Sequence, residues 1–65
     1  MKNALNKRLE AEIKDTEDRL DFWRPQIDLL GGPESNQGRT ASNLVKHLEV
    51  TLAQLRGAED AFKAT

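Results

Sequence analysis

Residues suited to binding an anionic ligand are concentrated in two short stretches of the sequence. Residues 38–42 read Gly-Arg-Thr-Ala-Ser and supply a guanidinium and hydroxyls at a predicted helix start, where unpaired N–H groups and the helix dipole favour phosphate. Upstream, an indole that can stack on a base is followed by a second guanidinium. These residue types predict a nucleotide-like site made by Trp23, Arg24, Arg39 and Thr40, with Phe22 and Ser42 in support.

The same side chains also have a purely structural interpretation. In it, Trp23 anchors an interface between subunits, Arg24 and Arg39 pair with acidic side chains, and the stretch after residue 30 only turns the chain. Gly-Arg-Thr also lacks the spacing of known phosphate-binding loops. The residue types alone leave both interpretations open.

Catalysis finds little support in the sequence. Ser42 and His47 are five positions apart, which places them about 140° apart around a helix, so they do not share a face. The chain has no Cys and a single His, and that His is not part of a Glu-x-x-His pair of the kind that binds metals in helical bundles. We therefore expect a protein that is not an enzyme and uses no metal or cofactor.

Two amphipathic segments must position the candidate residues. Apolar side chains recur at steps of three and four from Leu5 to Leu30 and again from Ala41 to Phe62, which is helical spacing. A Gly-Gly-Pro sequence at 31–33 separates the segments. The pattern predicts an all-α, antiparallel two-helix hairpin as a single domain, with helix 1 over about residues 3–30, a connection over 31–40 and helix 2 over about 40–63.

Two details of this hairpin have alternatives. Pro25 removes a backbone donor, so we expect either a kink near Phe22 and Trp23 or a helix that ends there and restarts at Pro25. Helix 2 has two possible starts, because Pro33 suits the first position of a helix whereas the helical pattern itself begins near Thr40.

The hairpin also places unlike surfaces opposite each other. The apolar side chains at the end of helix 1 face residues 34–40, which contain no apolar side chain. These apolar side chains are Phe22, Trp23, Ile27 and Leu30. Such a pair of surfaces cannot form an ordinary core layer. Either another subunit covers these apolar side chains or they line a binding site.

The length of the chain indicates that the hairpin assembles further. A chain of 65 residues buries only about 60% of the surface that its unfolded form exposes, and the absence of Cys excludes disulfides. We therefore expect a homo-oligomeric helical bundle, such as a four-helix bundle made by two hairpins.

The charge balance narrows the choice of partners. The net charge of −1 argues against binding to DNA, RNA or an acidic membrane surface, since each normally needs a basic excess. No apolar leader or membrane-spanning run is recognisable in the sequence, so we expect a cytoplasmic location.

A compact hairpin that must oligomerise, with Arg39-Thr40 opening helix 2, resembles the helical-hairpin domain of phage cyclic-oligonucleotide sponge proteins, which act against host defence. The resemblance covers the hairpin layout and these two residues, and Ser42–Lys46 departs from the pattern of that family. It implies sequestration of a cyclic nucleotide immune signal, without cleavage, in pockets between subunits in the host cytoplasm.

Two functions from different classes therefore remain. The first is a small oligomeric protein that sequesters an anionic small molecule such as a nucleotide. The alternative is a helical adaptor or inhibitor that docks its Phe22 and Trp23 side chains on a partner protein.

Overall fold

The computed structural model describes residues 2–64 and contains two long helices, α1 (Lys2–Leu29) and α2 (Asn36–Ala64). The two helices pack against each other along their length. Their cross-helix ion pairs join Glu17 to Arg56 and Arg24 to Glu49, an order that only antiparallel helices allow. The prediction of an all-helical, hairpin-like fold is therefore confirmed.

Helix α1 is continuous through Pro25. Of the two alternatives expected at Pro25, a kink or a helix that ends and restarts, the second does not occur. The helix loses one backbone hydrogen bond there, because proline has no N–H to donate to the carbonyl of Asp21. Pro25 is exposed, so water can reach that carbonyl from outside, and the packing of α1 against α2 carries the helix past this weak point.

Two glycines in the left-handed region end α1. Gly31 has a φ of 102° and Gly32 a φ of 83°, a conformation that other residues rarely adopt. The Gly32 N–H donates to the carbonyl of Ile27 at 2.8 Å, and the Gly31 N–H donates to that of Asp28 at 3.1 Å. This is the Schellman pattern, which satisfies the last carbonyls of a helix while reversing the chain.

Ser35 caps α2, which begins at Asn36, between the two starts that the sequence suggests. Its Oγ accepts a hydrogen bond from the Gly38 N–H at 2.9 Å, as expected of an N-cap residue. The Ser35 hydroxyl lies 2.7 Å from the carbonyl oxygen of Leu30 and 3.0 Å from that of Gly32, which accept its proton. The connection is consequently shorter than the predicted 31–40, because Ser35 caps both the end of α1 and the start of α2.

The first turn of α2 passes directly over the connection at Gly38, which is buried. A Cβ at this position would overlap the carbonyl oxygen of Gly32, and it would lie 2.6 Å from that carbonyl carbon and 2.8 Å from Ser35 Oγ. Real Cβ atoms do not approach other atoms this closely. Glycine is therefore required at residue 38 for the two helices to meet at this end.

The core is small and lies in the middle of the hairpin. Leu20, Val45 and Leu48 form its buried centre. Thr16 is buried on the same face of α1, where its hydroxyl donates to the carbonyl of Glu12 at 2.8 Å. Half-buried side chains extend the centre towards both ends, namely Trp23, Ile27, Leu44 and Leu52.

The molecule is elongated, with extents of 46 × 15 × 11 Å and a radius of gyration of 14.7 Å. A globular domain of this length has a radius of gyration of about 11 Å. Among residues 2–64, no helix is long and apolar enough to cross a membrane. Most side chains consequently lie at or near the surface, and one hairpin buries few of them.

Replacement of Gly38 by alanine should destabilise the hairpin by about 1–3 kcal/mol, because the added methyl group meets the Gly32 backbone. Gly57→Ala is the matched control, since a Cβ there has no atom within 4 Å. The control should stabilise α2 by about 1 kcal/mol through helix propensity. Urea unfolding followed by circular dichroism measures both changes, and a Gly38→Ala protein as stable as the control would contradict the described crossing.

Candidate binding groove

A groove opens between the two helices next to the connection. Its volume is about 350 Å³, within the range of small-molecule sites, which is about 300–1,000 Å³. Trp23 of α1 and Leu30, the residue after α1, line one side, and the first turns of α2 contribute the rest of the lining, namely Gln37, Thr40, Ala41 and Leu44.

The groove exists because large side chains of α1 lie opposite small or polar ones of α2. Trp23 and Leu30 project from α1 and its C-terminal end, but the facing turn of α2 offers the buried Gly38 and Ala41. This is the mismatch that the sequence predicted, and here the apolar side chains of α1 line a groove. Leu44 closes the groove towards the core, against which both it and Trp23 pack.

Two of the predicted site residues, Trp23 and Thr40, lie in the lining of the groove. Phe22 lies beside them, with its ring edge-on to the Trp23 indole at a centroid distance of 5.2 Å and an interplanar angle of 88°. The Thr40 hydroxyl donates to the carbonyl of Asn36 at 3.0 Å. The groove thus offers a stacking face and a hydroxyl oxygen that can still accept a hydrogen bond.

The other four predicted site residues lie outside the lining, including Phe22, which was expected to face α2 but is exposed on the outer face of α1. A guanidinium nitrogen of Arg24 is 3.5 Å from a carboxylate oxygen of Glu49, on another side of the hairpin. Arg39 is exposed on α2 and Ser42 is half-buried there. The structure therefore brings together the stacking and hydroxyl groups of the predicted site but not its two guanidiniums.

Sequence reasoning did not assign Gln37, Ala41 or Leu44 to the site. The apolar stripe includes Leu44, but the sequence leaves undecided whether Gln37 lies in the connection or in helix 2. The signal that identifies them is helical spacing counted from the true start of α2, since Gln37, Ala41 and Leu44 then fall on one face.

The two long edges of the hairpin differ in chemistry. One edge carries ion pairs between the helices, with Arg56 Nη2 at 2.7 Å from Glu17 Oε2 and Arg24 Nη2 at 3.5 Å from Glu49 Oε2. The other edge contains the groove. Ion pairs of exposed side chains such as these contribute little to stability, about 0–1 kcal/mol each, but they join the two helices by charge along this edge.

No group of acidic or histidine side chains in the described part of the chain is arranged to hold a metal ion. Comparison with known proteins provides no assignment either: no protein-family model, curated protein or solved structure is significantly similar to the chain. The resemblance to sponge proteins therefore stays a prediction.

A double-mutant cycle on Glu17 and Arg56 should give a coupling energy of about 0.2–1 kcal/mol that falls as salt is added, because both side chains are half exposed. The pair Arg8–Glu12, which lies within α1, is the control. Thermal unfolding in low and high salt measures both couplings. A coupling that does not respond to salt would contradict the exposed placement of this edge.

Proposed function

We propose that the protein is a non-enzymatic interaction module that docks a basic amphipathic helix on the outer face of α1 next to the connection. The observation that carries the proposal is the exposure of two large apolar side chains, Phe22 at 58% and Leu29 at 75%. Residues seven positions apart lie on one face of a helix. Phe22 and Leu29 therefore form a single apolar patch, here called the outer patch.

Trp23 positions the aromatic ring of the outer patch. The edge-on contact between Phe22 and Trp23 is a favoured aromatic geometry, worth about 0.5–1.5 kcal/mol. Trp23 in turn packs against the core. Because the Phe22 ring is already positioned, little side-chain entropy is lost on binding, and exposed aromatic anchors of this kind dominate the energy of many interfaces.

Acidic side chains flank the outer patch. Asp18, Asp21 and Asp28 are exposed and lie on the same half of α1 as the outer patch, where they outnumber the one exposed basic side chain within a turn of the patch, Arg19. None of the ion pairs among the described side chains includes these three. A partner that combines apolar anchors with Lys or Arg side chains would therefore gain both apolar contact and charge complementarity.

A second candidate function is the sequestration of a nucleotide-like anion. The observation in its favour is that Trp23 and Thr40 line one groove of sufficient volume. A base could stack on the indole, and the phosphates would have to reach Arg39 outside the groove or a guanidinium of another subunit. We rank this function second, because the groove itself contains no basic side chain.

A synthetic amphipathic helix with Leu on one face and Lys on the other should bind the protein, and isothermal titration calorimetry measures its Kd. Phe22→Ala and Leu29→Ala should each weaken binding about tenfold, since each removes an apolar anchor. Val50→Ala is the matched control, because Val50 is similarly exposed, at 57%, but lies on α2. Equal losses in all three variants, or equal binding of a peptide with Glu in place of Lys, would refute the proposal.

The same calorimetry with mono-, di- and cyclic nucleotides separates the two functions. Under the interaction-module proposal no nucleotide binds. A nucleotide that binds the unmodified protein, loses affinity in Arg39→Ala and keeps it in Leu29→Ala would instead support sequestration.

A further inference from the structure

The charged side chains of α2 avoid one side of the helix. Two neighbouring rows of residues, each at seven-residue spacing, contain no Lys, Arg, Asp or Glu. The first row consists of Gln37, Leu44, Thr51 and Ala58, and the second of Thr40, His47 and Gln54. Arg39, Lys46, Glu49 and Arg56 lie on the other side, where two of them pair with α1. We call these two uncharged rows the neutral face.

The neutral face is continuous with the groove and is partly apolar. Leu44 belongs to both, and Leu44, Thr51 and Ala58 are half-buried rather than fully exposed. Depletion of charge, rather than a large apolar area, is what distinguishes the centre of a protein interface from other surface. This surface has that property along most of a 29-residue helix.

The hairpin exposes more surface than a compact monomer of the same mass, as expected of a protein that binds a partner. Its accessible surface is 4,995 Å², whereas a compact monomer of 7.3 kDa exposes about 4,200 Å². The excess of about 800 Å² equals the area that each partner buries in an interface of standard size. A single docking event on one long face is enough to cover it.

The lack of charge favours a second copy of this chain over a foreign partner. In a two-fold symmetric interface the same surface lies on both sides, so a face whose charges have one sign would repel itself, whereas a neutral one does not. A foreign partner gains specificity from complementary charge, and the neutral face offers none.

We infer that two copies of the chain associate through the neutral faces of α2, with the helices antiparallel about a two-fold axis close to Thr51. Antiparallel copies of Asn36–Ala64 overlap fully when the axis passes near residue 50, and Thr51 is the neutral-face residue nearest to that point. With this register Leu44 of one copy lies opposite Ala58 of the other, a large side chain against a small one. The inference goes beyond the proposed function, because the outer patch belongs to α1.

The same register brings Phe62 of one copy to the level of Thr40 of the other, since both are eleven positions, or about 16 Å, from Thr51. Thr40 lines the groove, and the Phe62 ring is 40% exposed. The second copy thus supplies a large apolar side chain at the place where a single hairpin leaves a groove.

Single cysteines test the register, because the chain has none of its own. Thr51→Cys should form a disulfide-linked dimer under mild oxidation, and the control Val50→Cys should not. In an antiparallel pair Leu44→Cys and Ala58→Cys should each fail to link to themselves but should link to each other when mixed. Self-linking of Ala58→Cys, or equal linking of Thr51→Cys and Val50→Cys, would overturn the inferred arrangement.

Native mass spectrometry of the unmodified protein should show a dimer, and Thr51→Glu should show a monomer, because it places two like charges at the axis. Val50→Glu adds the same charge outside the neutral face and should remain dimeric. Circular dichroism should show that both variants remain helical. A monomeric unmodified protein, or dissociation by both variants alike, would refute the inference, whereas peptide binding at the outer patch is measured separately and tests only the proposed function.

Discussion

The contact on which this hairpin depends is the passage of the α2 backbone over the connection at Gly38. The Gly32 carbonyl occupies the space that a side chain at Gly38 would need, and Ser35 fills the remaining gap with hydrogen bonds to both helix ends. This arrangement sets how closely α1 and α2 approach. It also sets the helical phase of α2, and therefore which residues of α2 meet the core, the groove and the surface.

That phase divides the hairpin into surfaces of different character. Glu49 and Arg56 reach the acidic and basic side chains of α1 along one edge, whereas Leu44 and Thr40 fall on the opposite edge beside Trp23. With the first turn of α2 fixed by the Ser35 cap, a rotation of α2 would break these contacts together. The different surfaces of so small a protein are thus consequences of one turn and its cap.

The helices, the break and the apolar mismatch near Trp23 could be predicted from the sequence, because each depends on local spacing. The start of α2 could not, since Pro33 and the later helical pattern are both acceptable starts and the hydrogen bonds of Ser35 decide between them. The prediction placed neighbours in sequence in one site, Trp23 with Arg24 and Arg39 with Thr40, but only Trp23 and Thr40 line the groove. Adjacent residues of a helix point about 100° apart, so one member of each pair lines the groove and the other does not.

The shortness of the connection also bears on the order of events during assembly. Closing a loop of about ten residues takes only about 10–100 ns, and here the Schellman turn and the Ser35 cap already direct the chain back on itself. Contacts next to the connection join residues that are close in sequence, so closing the chain around them costs the least entropy, and we expect them to form before the contacts farther along the helices.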